Sequence, residues 1–244
     1  MHGDTLKYLL KHYNIDMKIE TFEIRKYVLG PLDTNSYLVI DHAGNALLID
    51  APPGVLTIML YLLDRNIVKL THILITHVHF DHVAEAEPLR EISGAKLIMH
   101  RDEFLILEES GRWARAYGIR WFRPSPDKLL TEDSEVDLGW IKIQAIHTPG
   151  HSPGSLCYYI KELNTIFTGD LIFKGTVGRT DLPGGSSREM INSLRKIILL
   201  IPTKTRILPG HGGETTLDHE LRYNPYVRVI ASRLKGGEEG TLSI

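Results

Sequence analysis

The segment THVHFDH, residues 76–82, places His77, His79, Asp81 and His82 within six positions. Imidazole nitrogens and carboxylate oxygens are the side-chain donors that hold divalent transition metals. In an extended segment, residues two apart project to the same side, so His77 and His79 can face one ion. Asp81 follows two positions later with His82 beside it, where a helix begins, and both can address a second ion. The preceding apolar run THILIT predicts a buried strand, a rigid mount for ligands held within tight tolerances. The competing reading is an accidental crowd of polar residues in a loop.

Three later positions weigh against accident. HTPGHSPGS puts His151 in a Gly/Pro-rich loop after a strand, where backbone freedom lets an imidazole turn inward. IFTGD ends a strand on Asp170, an anion suited to bridging two cations, and ILPGHGG ends another on His211. Taken singly, a strand-end Asp is usually a cap and a loop His is usually solvated. Together they give seven candidate ligands, each at or just after a predicted strand end. His77, His79 and His151 make one site; Asp81, His82 and His211 make a second; Asp170 is shared. Nitrogen and carboxylate donors without thiolate point to two divalent ions, zinc foremost, with iron or manganese also compatible. The other histidines read as ordinary: His2, His12 and His42 solvated, His72 and His219 structural. His100 and His147 fall near the cluster without belonging to it, and Cys157 reads as a small inert thiol in a buried strand.

The elements that must position these residues follow from periodicity. MHGDTLKYLLKHYNID spaces Leu6, Leu9, Leu10 and Tyr13 helically, giving an N-terminal helical extension over 1–16 before a single domain over 17–244. MKIETFEIRKYVLG, NSYLVID and NALLID read as strands separated by turn-formers, and VLTIMLYLLDRN as a helix. Strand THILIT, helix DHVAEAEPLREIS, strand AKLIMH and helix RDEFLILEES follow, then an irregular stretch over 111–130. The second half repeats the order: strands in VDLGWIKIQAIH, SLCYYIKE and TIFTGD, a helix over 187–200, strand TRILPG and a final helix near 215–222. Hairpins first and strand–helix alternation afterwards, twice over, predict an α/β fold of two sheets with helices outside.

Composition sets the outer bounds. A chain of 244 residues buries a sizeable core, and a formal net charge of −2 argues against a dedicated nucleic-acid surface. The single cysteine excludes an internal disulfide framework and suits a reducing compartment. The longest apolar run, Val55–Leu63, falls short of the about 20 residues of a membrane span. No charged-then-apolar leader opens the chain, so a cytoplasmic protein with neither membrane nor nucleic-acid partner is the expectation.

In this order, the HxHxDH cluster, the lone downstream His, the strand-end Asp and the final His resemble the metallo-β-lactamase superfamily over about residues 20–225. The resemblance implies a four-layer αββα sandwich with the metal site at one edge of two sheets. HTPGHSPGS, FTGDLIFKGTVGRTDLPGG and LPGHGGETT followed by NPY are similar to the short hydroxyacylglutathione hydrolase-like (glyoxalase II-like) branch. Full-length glyoxalase II adds a C-terminal helical region with basic residues for glutathione, and this chain ends soon after NPYVRVIASRLKGG. Glyoxalase II also carries a basic residue followed by a Tyr after the bridging Asp. Arg179 matches the first, whereas Asp181 stands where the Tyr would be. A small-molecule thioester is thus the implied substrate more than glutathione itself, with Arg179 and Asp181 as candidate substrate-binding residues. The implied chemistry is two-metal hydrolysis, with Asp81 orienting the nucleophile as well as binding metal.

Two alternatives stay open. Mononuclear-iron persulfide dioxygenase-like members share every ligand position. They resemble this chain up to GRTD but typically continue Phe–Gln, where it has Leu182–Pro183–Gly184–Gly185. A hydrolase of another ester, lactone or phosphodiester is the other. Flavodiiron oxidoreductases usually place Glu where His79 stands.

Overall fold

The computed structural model describes residues 22–236. The helix expected over 1–16, with His2 and His12, lies outside the described residues. The first sheet runs in order β1 (Phe22–Leu29), β2 (Thr34–Asp41), β3 (Asn45–Ile49), β4 (Lys69–Leu74), β5 (Lys96–His100) and β6 (Lys128–Leu130). Its first three strands are an antiparallel meander and its last four are parallel. The second sheet contains β7 (Ser134–Asp137), β8 (Lys142–His147), β9 (Leu156–Ile160) and β10 (Thr165–Gly169). A hairpin of β11 (Ile172–Phe173) and β12 (Thr176–Val177) stands apart. β13 (Arg206–Pro209) and β14 (Thr215–Thr216) complete the second sheet, in order β14-β13-β10-β9-β8-β7.

Helices cover both outer faces. α1 (Val55–Asp64), α2 (Phe80–Val83), α3 (Ala86–Ser93) and α4 (Leu107–Ala116) belong to the first half. α5 (Ser187–Leu200), α6 (Leu217–Tyr223) and α7 (Pro225–Gly236) belong to the second. The strands are apolar on both faces because both faces are covered. In β2, Leu38 and Ile40 pack against the first-half helices while Tyr37 and Val39 point between the sheets. In β9, Leu156, Tyr158 and Ile160 point between the sheets while Cys157 and Tyr159 meet Met190, Leu194 and Ile197 of the second-half helices. Alternation at period two thus feeds three apolar layers, and each fully buried Leu, Ile or Phe contributes about 1.5–3 kcal/mol of transfer free energy. The architecture is the αββα sandwich. No helix of the described residues is long and apolar enough to cross a membrane.

The two sheets are fastened to each other along one edge. Thr76 O, just beyond β4, accepts from Leu156 N at 2.8 Å, and Gly210 O, just beyond β13, accepts from Asn35 N at 2.7 Å. Tyr158 Oη donates to Ile75 O and Tyr37 Oη to Pro209 O, each at 2.8 Å. This is the edge at which β4, β10 and β13 end. Buried backbone groups there have no ladder partner within their own sheet, so the opposite sheet supplies it.

Several elements differ from the sequence expectation. β6 lies inside the stretch expected to be irregular, and the helix expected over DHVAEAEPLREIS is broken into α2 and α3. The β11–β12 hairpin is additional, and β14 stands where the helix expected near 215–222 was to begin. The helix expected over 101–110 is a 3-10 turn (Arg101–Leu105) followed by α4, which reaches into the stretch expected to be irregular. His100 Nδ1 accepts from Asp102 N and starts the tight turn, and Gly111 keeps α4 open to Trp121, whose ring nitrogen would lie 2.9 Å from an added Cβ. VDLGWIKIQAIH is split into β7 and β8 by a reversal at Gly139, whose φ of 83° suits glycine. At the C-terminal end α6 is followed by α7, which the expectation lacked; Asn224 Oδ1 caps it by accepting from Tyr226 N at 3.1 Å.

Candidate metal centre

All seven histidines and aspartates picked out by spacing converge at the fastened edge. His77 and His79 come from the loop after β4, Asp81 and His82 from α2, His151 from the loop after β8, Asp170 from the end of β10 and His211 from just beyond β13. His79 Nδ1 lies 2.8 Å from His151 Nε2. The rings of His77, His79 and His151 stand with centroids 4.6–4.8 Å apart and are mutually near-perpendicular, at 86–89°. Beside them, His82 Nε2 lies 3.2 Å from His211 Nε2 and 3.4 Å from Asp81 Oδ2. Asp170 sits between the groups, with Oδ2 3.4 Å from His151 Nε2 and 3.6 Å from His211 Nε2, and Oδ1 3.5 Å from His82 Nε2.

The outward-facing ring nitrogens are pinned. His82 Nδ1 meets Asp50 Oδ2 at 2.8 Å, His77 Nδ1 meets Thr76 Oγ1 at 3.0 Å, and His151 Nδ1 meets the carbonyl of Arg179 at 2.8 Å. His211 Nδ1 meets the carbonyl of Leu32 at 3.1 Å, and Thr34 Oγ1 donates to Asp81 Oδ2 at 2.7 Å. Such partners fix the tautomer and aim the second nitrogen inward. Two inward atoms, His77 Nε2 and Asp170 Oδ1, are buried with no protein hydrogen-bond partner. Buried polar atoms are ordinarily paired, so lone pairs aimed at one another and left unpaired fit a divalent cation. The donor groups His77–His79–His151 and Asp81–His82–His211 each fall within a span a single ion bridges.

The electrostatics divide along the same line. Burial above all, then the neighbouring imidazoles, holds His77 well below its ordinary value, and burial followed by His151 brings His79 down to about 3. Burial also opposes a charge on His82, but Asp81, Asp170 and Asp50 outweigh it and raise that imidazole to about 10. Burial alone would raise Asp81. The His82 charge and bonds from His211 and Thr34 overcome it and keep the carboxyl below the usual carboxylate range. His77 and His79 therefore present neutral nitrogens, and His82 holds a proton that a metal ion can replace.

Local backbone requirements explain the glycines in the motifs. A Cβ at Gly210 would lie 2.3 Å from Asp170 Oδ1 and 2.7 Å from His82 Cε1, so only glycine lets β13 pass behind the cluster. Gly169, at φ 48°, lies against Thr76 in the same way.

Asp50 and Thr76 were not identified from sequence, although Asp50 closes NALLID as Asp170 closes IFTGD. That shared strand-end pattern was the available signal. Glu103, buried beneath the loops, carried none, because acids in RDEFLILEES read as the wet face of a helix. Of the remaining histidines, His100 and His147 stack at 4.0 Å behind the centre, with His147 Nε2 on the carbonyl of Pro153. His72 bonds Thr71 and His219 packs on Tyr223. Cys157 is buried in the second-half core and its thiol is pushed up to about 12 by that burial.

A cleft of about 340 Å³ opens over the cluster, walled by Leu32, Ile106, Trp113, Tyr117 and Leu182. Arg179 stands on its rim and pairs with Asp181 through two bonds of 2.7 Å, both side chains being exposed.

Comparison with known proteins agrees with this geometry. The family model described as Metallo-beta-lactamase superfamily matches residues 29–211. The chain is 32% identical over 205 residues to the probable metallo-hydrolase YqgX of Bacillus subtilis, covering 83% of this chain and 96% of that one. It is 32% identical over 197 residues to the hydroxyacylglutathione hydrolase GloC of Haemophilus influenzae, covering 79% and 92%. Among solved structures, the BLEG-1 B3 metallo-beta-lactamase superimposes with a TM-score of 0.76 at 31% identity, covering 84% of this chain and 99% of that one. TTHA1623 in a di-iron-bound form superimposes with a TM-score of 0.74 at 37% identity, covering 83% and 99%. With its sandwich, its strand-end ligand set and a family match over most of its length, the chain belongs to the metallo-beta-lactamase superfamily.

Proposed function

We propose that the protein is a two-metal hydrolase of small-molecule thioesters. The observation that carries this reading is the pair of adjoining donor groups with Asp170 between them, together with the unpartnered His77 Nε2 and Asp170 Oδ1. His77, His79 and His151 would hold one ion, Asp81, His82 and His211 the other, and Asp170 both. Bound there, divalent ions such as zinc lower the pKa of water to near neutrality and polarise a substrate carbonyl. The protein's own residues do the rest. Asp50, Thr76, Leu32 and the Arg179 carbonyl hold the imidazoles in register, and Asp81, fixed by Thr34, offers a carboxylate at the cleft floor to orient the attacking group. The wall of Trp113, Tyr117, Ile106 and Leu182 suits the carbon skeleton of an acyl or thiol group. Arg179, oriented by Asp181, stands where a substrate carboxylate would meet the rim.

The relative named a hydroxyacylglutathione hydrolase supports thioester chemistry, and the di-iron-bound structure supports iron as an alternative metal. A mononuclear-iron oxidoreductase would carry the same donor positions around a single ion, so metal count and substrate together separate the two readings. Elemental analysis after metal-replete expression, beside assays on lactoylglutathione and on a persulfide, tests the reading. Close to two equivalents of metal with thioester cleavage is expected. One equivalent of iron with oxygen consumed on the persulfide would replace the hydrolase with the oxidoreductase.

A further inference from the structure

Glu103 is an acid at zero exposure, placed by the 3-10 turn Arg101–Leu105 directly behind the centre. Its two oxygens reach two different ligand-bearing loops. Oε2 accepts from Val78 N at 2.6 Å, and Val78 is the residue between His77 and His79. Oε1 accepts from Ser152 Oγ at 2.6 Å and from Gly154 N at 2.7 Å, in the loop between β8 and β9 that carries His151. The first loop comes from the first sheet and the second from the other, so this carboxylate joins the two halves at the three-histidine group. Both backbone N–H groups can only donate, so each needs one of the two carboxyl oxygens as its acceptor.

The surroundings fit the task. Ser110 Oγ of α4 donates to the carbonyl of Val78, so both backbone groups between the histidines are held by side chains of the 101–116 segment. A Cβ at Gly154 would lie 2.9 Å from Glu103 N and Glu103 Cγ, so glycine is what lets the His151 loop close on the acid. Burying a carboxylate is costly unless donors compensate, and three donors meet this one.

We infer that Glu103 is a positioning residue: its carboxylate ties the His77–His79 loop to the His151 loop and sets the mutual geometry of the three imidazoles. This rests on the metal-centre reading above. Glutamine has the same shape but one acceptor oxygen, so in either orientation its NH2 faces a backbone N–H, Val78 in one and Gly154 in the other. One loop is then released.

The test is cobalt titration of metal-free wild type and Glu103→Gln, reading the visible ligand-field absorption and the dissociation constants by chelator competition, beside the thermal midpoints of the metal-free proteins. Glu103→Gln is expected to weaken binding at the three-histidine group about 10–100-fold and to alter the absorption band. A lower midpoint with affinity and band unchanged would make Glu103 a fold support only and overturn the inference. Should that variant not fold, Ser152→Ala removes one of the two bonds between Glu103 and the His151 loop and leaves the Val78 bond untouched. It is expected to weaken cobalt binding several-fold with little change in midpoint, and wild-type binding by this variant would overturn the inference equally. A wild-type chain that binds no cobalt would sink the metal-centre reading and this inference with it, whereas wild-type binding with indifferent variants would sink this inference alone.

Discussion

Asp50→Asn separates the role of a carboxylate in aiming a ligand from its role in supporting the fold. Asp50 Oδ1 accepts from Thr76 N at 2.7 Å, while Oδ2 meets Thr76 Oγ1 and His82 Nδ1, each at 2.8 Å. Asparagine keeps an oxygen for the backbone N–H and places its NH2 where Oδ2 was. The amide then donates to His82 Nδ1, which must accept, and the imidazole proton moves to Nε2, the atom facing His211 and Asp81. The backbone bond survives, but Thr76 Oγ1 must turn from donor to acceptor and one of the three carboxylates around His82 loses its charge, so the metal-free variant should melt below wild type yet above Asp50→Ala. The second metal should suffer, because a protonated nitrogen is no ligand. Loss of such an outer partner typically costs 10–100-fold in affinity, about 1.4–2.7 kcal/mol. Asp50→Ala differs in kind. It strands Thr76 N–H and His82 Nδ1–H in the interior, at about 1–3 kcal/mol each, so about 4 kcal/mol in total. At roughly 2–4 °C per kcal/mol for a domain of this size, the midpoint should fall about 8–16 °C. Cobalt titration and melting of metal-free protein read both effects. An asparagine variant that binds two equivalents with wild-type affinity would refute the tautomer argument. One that melts as early as the alanine variant while keeping its metals would make Asp50 a buttress only.

Asp170→Asn should weaken both metals together, since a neutral amide bridges two cations poorly, whereas His211→Ala should empty mainly the second group; full metal content in Asp170→Asn would refute the bridging role. Arg179→Ala should raise KM for an acidic thioester with kcat and metal content retained, because the contact to His151 comes from the Arg179 backbone and the exposed pair with Asp181 is screened by solvent; equal losses on acidic and neutral thioesters with a lower midpoint would mean the arginine only holds the loop. Metal-free protein should lose stability on both sides of neutrality. His79 is lowered from 6.5 to about 3, so its contribution, present above 6.5, is lost as the pH falls toward 3. His82 is raised from 6.5 to about 10, so its contribution, present below 6.5, is lost as the pH rises through 10. Midpoints measured across that range check both limbs, and a flat alkaline limb would contradict the carboxylate cage around His82.

Much of the candidate centre was legible because its donor side chains sit where strands end, and strand ends show in sequence as apolar runs closed by a polar residue. His77, His79, Asp170 and His211 are found that way, and their nitrogen and carboxylate donors suit a divalent transition metal without choosing among zinc, iron and manganese. Asp50 had the same signature, but a strand-end Asp taken singly reads as a cap. Glu103 had no signature at all. An acid in an amphipathic stretch is ordinarily solvated, and its burial depends on two loops from different sheets closing over it. The 101–116 segment was misplaced for a related reason: Gly111 is a weak helix former by itself, and its use appears only once Trp121 packs against it.

Local chemistry and periodicity thus determined the donor set, the strands that carry it and the two covered sheets, because each depends on neighbours a few residues away. Contacts between residues far apart in the chain decided the rest. His79 meets His151 across 72 positions and His82 meets His211 across 129, and the order of those approaches is set by sheet pairing. Asp50 captures His82 across 32 positions, which fixes a tautomer that no local pattern encodes. Arg179 and Asp181 needed only a two-residue separation to pair, yet their place on the rim of an apolar cleft comes from α4 folding over the centre. A hydrogen bond has direction and a range of about 3 Å, so which donor meets which acceptor is decided only when packing brings the two backbones together.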